Sequence, residues 1–442
     1  MHRSVRSLSV HWFAVAAWTV GVSLLAPGAV AAQSAVPDRL TLREAVAIAV
    51  ERNPAMVAAR AGVDAAEGDR LAASRRPNPA LSVDSAGYPA FESARPGYWG
   101  GQEFTVRFDQ ELETAGRRRL RTEVAESGRA SAQLGVQDRA RQIGLDVRRA
   151  YLTAVLAQAD RGVAQTSLEE IDRVIALNRA RLEQGEISGA ELRRLQVERL
   201  RFVEDVFGAD LALKNARSTL LALLNAPRLD LPLELIDGLK ASPAEGLEAL
   251  TAASADPGGA PRLFAQALEA RPDVLVARRE QVQAETSTRL QRALRTPNIT
   301  LGGGYQNNFG SDGVVFGVTM PLPFFNQNQG GIARADAERR AADARADATA
   351  AVVRLDVQRA LNAADTNRAR VEYIEREYLK NAQESRDIVL ESYRLGVADL
   401  IDFLDAQRAF RDTQRTYNRA LFDQRVSLFE LAAAVGRPDV QP

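Results

Sequence analysis

The chain has 442 residues, and its 57 lysines and arginines match 57 aspartates and glutamates, a balance that gives no support for nucleic-acid binding. It contains no cysteine and only two histidines, His2 and His11, which excludes disulfides, zinc-thiolate sites, thiol catalysis and lipid modification of a cysteine. There is no Gly-x-x-x-x-Gly-Lys-Ser/Thr loop, and Gly302-Gly303-Gly304 lacks the strand-to-helix setting that would let it cradle phosphate.

At the amino terminus, Arg3 and Arg6 precede an apolar run over residues 12–25 and the small-residue stretch Ala29-Val30-Ala31-Ala32. This predicts a secretory signal peptide over residues 1–31. About 14 apolar residues fall short of the ~20 that cross a bilayer as a helix. Both histidines leave with that peptide, and Met56 and Met320 become the only thioethers. Imidazole acid–base chemistry and soft-metal coordination then have no side chains to use, the inventory implies no cofactor or resident metal, and an enzyme is disfavoured. No later stretch is long and apolar enough for a membrane-spanning helix, so any membrane passage must use β-strands.

The mature chain repeats itself. Asn53-Pro54 answers Arg271-Pro272, Pro77-Asn78 answers Pro297-Asn298, and Phe104-Thr105-Val106 answers Phe316-Gly317-Val318. Leu145-Asp146-Val147 matches Leu355-Asp356-Val357, and Gly185, Gln196 and Pro227 match Gly396, Gln407 and Pro438. About 80 residues of the later part align with a single one-residue slip, which makes the repeat the organising feature. The expected division is a first repeat over residues 32–227, a linker or equatorial segment over 228–261 with an apolar patch at 229–239, and a second repeat over 262–442.

Each copy predicts a short helix, two strands and a very long helical hairpin. Residues 54–76 and 272–295 supply the short helices. Proline is missing from residues 97–226 and 324–437, where Ala, Arg, Leu, Glu and Gln dominate. Apolar residues there step by seven and four, as in Leu145, Leu152, Leu156 and Val163. The same rhythm runs through Leu195, Phe202, Val206, Leu213, Leu220 and Leu224, and through Phe403, Phe410, Tyr417, Leu421 and Leu428. That rhythm makes a narrow seam for partner helices. From Gly116 to Gly185 the helix covers about 68 residues, or ~100 Å at 1.5 Å per residue. The helix after the turn and the earlier short helix together nearly match that length, which predicts that they stack end to end beside it. The helix over residues 331–395 repeats the plan.

Between the short and long helices, side chains alternate. Leu81 and Val83 are interleaved with Ser82 and Asp84; Phe104, Val106 and Phe108 with Thr105, Arg107 and Asp109. Ile299 and Leu301, then Phe316, Val318 and Met320, repeat the pattern. A period of two puts one set on each face of a sheet. Four such strands in an exported chain beside ~100 Å helices point to a membrane barrel with Arg107 and Asp109 in its lumen. Four strands cannot close a barrel whose smallest bacterial examples have about eight. Open edges in lipid would leave unpaired backbone groups at several kcal/mol each, so identical subunits must share the barrel.

Leu40-Thr41-Leu42-Arg43-Glu44-Ala45 through Ala434-Val435-Gly436 resembles the TolC-like outer-membrane efflux family over nearly the whole mature chain. Arg76-Pro77-Asn78-Pro79-Ala80-Leu81-Ser82, Gln110-Glu111-Leu112-Glu113-Thr114-Ala115-Gly116-Arg117 and Pro321-Leu322-Pro323-Phe324-Phe325-Asn326-Gln327-Asn328-Gln329-Gly330 are similar to the CzcC-type heavy-metal branch. The branch pattern has Pro where this chain has Glu111 and Gly where it has Ala115. The resemblance implies a mainly α fold with a small β part: long helical hairpins forming a periplasmic α-barrel, and four antiparallel strands per chain in a trimeric twelve-stranded outer-membrane barrel. It further implies a homotrimer in outer-membrane lipid, working with a periplasmic adaptor and a proton-driven inner-membrane pump of the RND type, with no nucleic-acid partner.

On this reading the turns at Gly185 and at Arg394, Leu395 and Gly396 lie at the periplasmic tip, with Asp399, and meet the adaptor. Asp402 and Asp405 match the acidic positions of the family's entrance constriction, where three subunits would set carboxylates in rings that favour cations. Glu191 and Arg194 hold the equivalent places in the first copy, and an arginine there could pair with carboxylates and keep the tip shut. Acids near a helix start also complement its dipole without any gating role. Three alternatives stay open: the same duct carrying drugs, organic solutes or a secreted polypeptide; a soluble periplasmic coiled-coil adaptor or scaffold; and, least favoured, an enzyme.

Overall fold

The structure is a computed structural model that describes residues 36–87, 103–240, 259–308 and 311–437. The chain divides into Met1–Val36 and Pro37–Pro442, and the description concerns the second unit. The expected signal peptide, most of the far part of the linker and Pro438 lie outside the described residues.

Strand β1 (Arg39–Leu40) leads into α1 (Leu42–Arg52) through a capping box: Thr41 Oγ accepts from the Glu44 N–H at 3.3 Å, and Glu44 accepts from the Thr41 N–H at 2.9 Å. Asn53 closes α1 and opens α2 (Pro54–Ser74), accepting from the Ala55 N–H at 2.9 Å while Pro54 occupies a position whose N–H has no helical partner. Strands β2 (Ala80–Ala86) and β3 (Glu103–Leu112) follow, then α3 (Arg117–Glu183), an unbroken helix of 67 residues. At 1.5 Å per residue it is about 100 Å long. Helix α4 (Gly189–Leu223) returns beside it.

After β4 (Glu234–Leu235) the plan recurs: α5 (Gly259–Ala270), α6 (Pro272–Ala293), β5 (Ile299–Asn308), β6 (Ser311–Thr319), α7 (Gln329–Ile374), α8 (Lys380–Arg394) and α9 (Leu400–Ala434). The helix expected to run unbroken to residue 395 contains one π turn, Glu375–Leu379, between α7 and α8. The one-residue slip between the two repeats falls in this stretch. A π turn takes up one extra residue without unwinding the helix on either side, so the extra residue of the second copy is absorbed there.

Most of the heptad positions bury: Leu195, Leu220 and Leu224 are fully buried, and Phe202, Phe403, Phe410 and Tyr417 nearly so, whereas Leu145, Val163 and Val206 are half-buried. End-to-end stacking is also present. The carbonyl of Leu223, closing α4, accepts from Asn53 Nδ2 at 3.0 Å, so α4 abuts the start of α2. In the second half the carbonyl of Ala434, closing α9, accepts from Arg271 at the start of α6 at 3.4 Å. Asn53 and Arg271, matched in the sequence, therefore bridge the two joints. The described part of the linker packs on α3: β4 pairs in parallel with β1. The buried Tyr151 hydroxyl lies 2.9 Å from both the Leu40 carbonyl and the Asp237 carboxylate. Burial raises the Tyr151 pKa and keeps the hydroxyl protonated as a donor.

Candidate functional site

Two regions carry the residues singled out by sequence: the sheet and the hairpin tips. The sheet is antiparallel with order β2-β3-β5-β6. Its register sets Leu81, Phe108, Gly303 and Phe316 in one row and Val83, Val106, Tyr305 and Val314 in the next. This face is open, with Phe316 83% exposed and Val318 73% exposed. The opposite face carries Ser82, Asp84, Thr105, Arg107, Asp109 and Gln306. Arg107 and Asp109 fall on it together and form an ion pair at 2.9 Å. Opposite them stand Gly302 and Gly304, where a Cβ would collide with Asp109 and with the Val106 carbonyl. Strands β2 and β6 are edges with no partner among the described residues, and no described helix is long and apolar enough to cross a membrane.

At the other end of the long helices both turns close in the same way. Gly185 and Gly396 have φ of +74° and +73°, a region that only glycine enters without strain. Glu186 N–H reaches the Arg181 carbonyl at 2.9 Å and Gly185 N–H the Leu182 carbonyl at 3.1 Å; Val397 and Gly396 repeat this on Ser392 and Tyr393 at 2.8 and 3.1 Å. These are Schellman closures, which satisfy the last carbonyls of α3 and α8. Ser188 then caps α4 through Glu191 N–H at 3.2 Å, and Asp399 caps α9 through Asp402 N–H at 2.9 Å. Asp399 is thus committed to its helix start.

Leu395 and Val397 project from the tip, 78% and 81% exposed. Arg394 pairs with Glu391 at 2.7 Å. Asp402 and Asp405 are both exposed; Asp405 pairs with Arg408 at 3.4 Å, and Asp402 makes no side-chain bond among the described residues. Glu191 is half-buried near Tyr393, whereas Arg194 is exposed and forms no ion pair among the described residues.

Beneath these acids lies a contact between the hairpins that the sequence reading did not single out. Ile171, Val174, Leu192, Leu195, Phe403 and Leu404 form a shared core. Inside it Asn178 Nδ2 donates to the Tyr393 hydroxyl at 2.6 Å, and that hydroxyl lies 3.0 Å from Asn178 Oδ1. Burial raises the Tyr393 pKa, the Asn178 hydrogen bond opposes this, and the Glu191 charge adds to it. Arg181 sits over the Tyr393 ring at 5.7 Å and donates to its carbonyl at 3.3 Å, which caps α8 from α3. Glu170 on α3 takes Arg386 of α8 at 2.7 Å and Gln407 of α9 at 2.5 Å. A signal for Asn178 was available, since it falls one heptad after Ile171, at a seam position where a polar residue fixes helix register.

An open apolar sheet face at one end of paired helices of this length defines a class of channel protein built from a small sheet and long helical hairpins. Residues 45–226 and 263–437 match the family model described as outer membrane efflux protein, and the chain belongs to that family. It is 26% identical over 382 residues to the cobalt-zinc-cadmium resistance protein CzcC of Cupriavidus metallidurans, covering 86% of this chain and 85% of that protein. It is 27% identical over 352 residues to the nickel-cobalt-cadmium resistance protein NccC of Alcaligenes xylosoxydans xylosoxydans, covering 78% of this chain and 74% of that one. Its fold is similar to that of the Campylobacter jejuni CmeC outer membrane channel, with a TM-score of 0.72 at 16% identity over 90% of this chain and 86% of that chain.

Proposed function

We propose that this protein is the outer-membrane exit duct of a tripartite efflux system that exports heavy-metal cations, assembled as a homotrimer with a periplasmic adaptor and an inner-membrane RND pump. The observation that carries the reading is the sheet: four strands, two edges unpaired among the described residues and one largely exposed apolar face, which in lipid require neighbouring copies to supply the missing hydrogen bonds. An apolar stripe on α4, with Val197, Leu200, Phe207 and Leu211 between 59% and 72% exposed, adds a second surface for a neighbour. The names of the two metal-resistance relatives support the cargo class. Asp402, with no side-chain bond among the described residues, and Asp405, exposed and paired with Arg408, would form the cation-favouring entrance on a common axis, with Glu191 and Arg194 beside them. Metal discrimination belongs to the pump and adaptor, because the duct offers little beyond carboxylates.

Deleting the gene should sensitise cells to zinc, cadmium, cobalt or nickel more than to dyes and antibiotics; sensitivity confined to the organic panel would reassign the cargo. Arg194→Ala with Asp405→Ala should raise single-channel conductance in planar bilayers and change cation preference. Unaltered conductance and preference would remove the entrance role from these residues.

A further inference from the structure

The chain contains one seam between its two halves at the helix-proximal end of the sheet, and it shows how adjoining units are fastened. Where β3 ends, Thr114 Oγ donates to the Pro297 carbonyl at 2.7 Å, and Thr114 N–H donates to Asn298 Oδ1 at 3.1 Å. Asn298 Nδ2 completes the clasp on Glu111 at 2.6 Å, and Arg117 reaches the carbonyl of Leu294 at 3.2 Å. Two residues beyond Thr114, Gly116 is a left-handed cap, φ 67°, at the start of α3.

The same pieces recur at the two open edges, where among the described residues they meet no strand beyond the edge. The Pro77 carbonyl accepts from Gln110 Nε2 of the adjoining β3 at 3.1 Å, and Asn326 Oδ1 accepts from the Asn328 N–H at 2.9 Å, while Asn326 Nδ2 has no partner among the described residues. Pro77-Asn78 precedes β2 as Pro297-Asn298 precedes β5. Asn326 follows β6 as Thr114 follows β3, again two residues before a left-handed cap, Asn328, φ 59°. Asn78, unlike Asn298, makes no hydrogen bond among the described residues, and it is exposed. Leu81 and Leu322, at the positions of Leu301 and Gln110, which are paired across β5 and β3, are 60% and 61% exposed. The turn that carries Asn326 is held firmly: Asn328 Nδ2 donates to the Gln291 carbonyl at 2.8 Å, and Gln329 Nε2 to the Phe325 carbonyl at 3.2 Å. It presents Phe324 and Phe325 at 74% and 95% exposure. Arg75 and Arg76, just before β2, are exposed and form no ion pair among the described residues.

We infer that this seam is built a second time between chains, with the Asn326 turn of one copy gripping the Pro77-Asn78 turn of the next. Strand β6 and its continuation run antiparallel to the neighbour's β2, as β3 runs to β5. Leu322 then lies against Leu81, Asn326 Nδ2 takes the place of Thr114 as a second donor to the Pro77 carbonyl, whose other lone pair is held by Gln110, and Arg75 and Arg76 come within reach of the Phe324 and Phe325 rings. The occupant of this edge is therefore a second copy of the chain, not lipid. The inference rests on the shared-barrel reading above but assigns residues to the contact, which that reading does not.

The chain has no cysteine of its own, so engineered pairs report cleanly. Oxidising Asn78→Cys with Asn326→Cys in isolated outer membranes should give covalent dimers and trimers on a non-reducing gel, while each single substitution gives none. Thr114→Cys with Asn298→Cys should yield only a bridged monomer. Leu81→Cys with Leu322→Cys reads the same seam and should also cross-link. A trimer by native mass in mild detergent with no ladder from either interchain pair would overturn the seam and leave the oligomer standing; a monomer by native mass would remove the oligomer itself. Quenching of Phe325→Trp fluorescence by brominated phospholipid, without cross-linking, would assign the turn to lipid instead.

Discussion

Arg271 is the residue on which the second helix joint depends. Its side chain is 5% exposed and held by Asp273 at 2.6 Å and Asp356 at 3.1 Å, while it also donates to the last carbonyl of α9. Burial opposes its charge, but the two carboxylates outweigh burial and raise its pKa. Asp273 mirrors this: burial pushes its carboxyl up, and the Arg271 guanidinium holds it below the usual carboxylate range. A folded pKa below the unfolded value of about 3.9 gives stabilisation that is complete above that value. It is lost as pH falls through the lower folded value. Arg271→Ala should cost about 1–2 kcal/mol, because it removes a buried guanidinium's packing and leaves two half-buried carboxylates and the last carbonyl of α9 without their donor. Thermal unfolding in detergent should show a lower midpoint that is less sensitive to acid between pH 4 and the folded pKa of Asp273; an unchanged midpoint would refute the role. The sequence marked Arg271-Pro272 only as a repeat of Asn53-Pro54. Asp273 stands two residues away, but the second acid, Asp356, and the Ala434 carbonyl that Arg271 caps lie far along the chain, so the sequence did not show that a charged residue would stand in for an amide. Ala115 is a second such residue: it takes φ 52° where the branch pattern has glycine, so the turn keeps its shape despite the less suitable side chain.

At the scale of elements, the long helices were legible because their periodicity and lack of proline are local properties. The π turn was not, although the one-residue slip between repeats was its trace. Where an extra residue goes depends on which helix turn can widen without losing its packing. Here it is an exposed turn in which Tyr373 and Tyr378 meet edge-on at 5.3 Å. Deleting Glu377 should therefore restore a regular α-helix, leave Tyr393 against Asn178, and change the thermal midpoint little. Deleting Arg173 from α3, which has no π turn to close up, should rotate Asn178 by about 100° away from Tyr393 and lower the midpoint sharply. Equal effects from the two deletions, measured by circular dichroism melting, would show that the π turn does not absorb the insertion.

For the whole molecule, the two sheet faces should behave differently under charge. Phe316→Arg places a guanidinium on the open apolar face, a cost of about 2–4 kcal/mol near the bilayer midplane. Gln306→Arg on the opposite face, beside Glu103, should be tolerated. Outer-membrane fractionation followed by mild extraction should recover assembled protein from the second variant and markedly less from the first; the reverse ranking would invert the assignment of faces. The chain's own sequence determined the alternating strands, the heptad seams, the glycine turns and the internal repeat, all of which follow from dihedral preference and side-chain period over short distances. The summed helix lengths also announced the end-to-end stacking of α4 on α2 and of α9 on α6. Only the tertiary structure decided that Asn53 and Arg271 would fasten those joints, that Asn178 meets Tyr393, and that Arg107 and Asp109 share a face with glycines from the other repeat. Those contacts join residues distant along the chain, and their energies come from burial and pairing that no local pattern encodes.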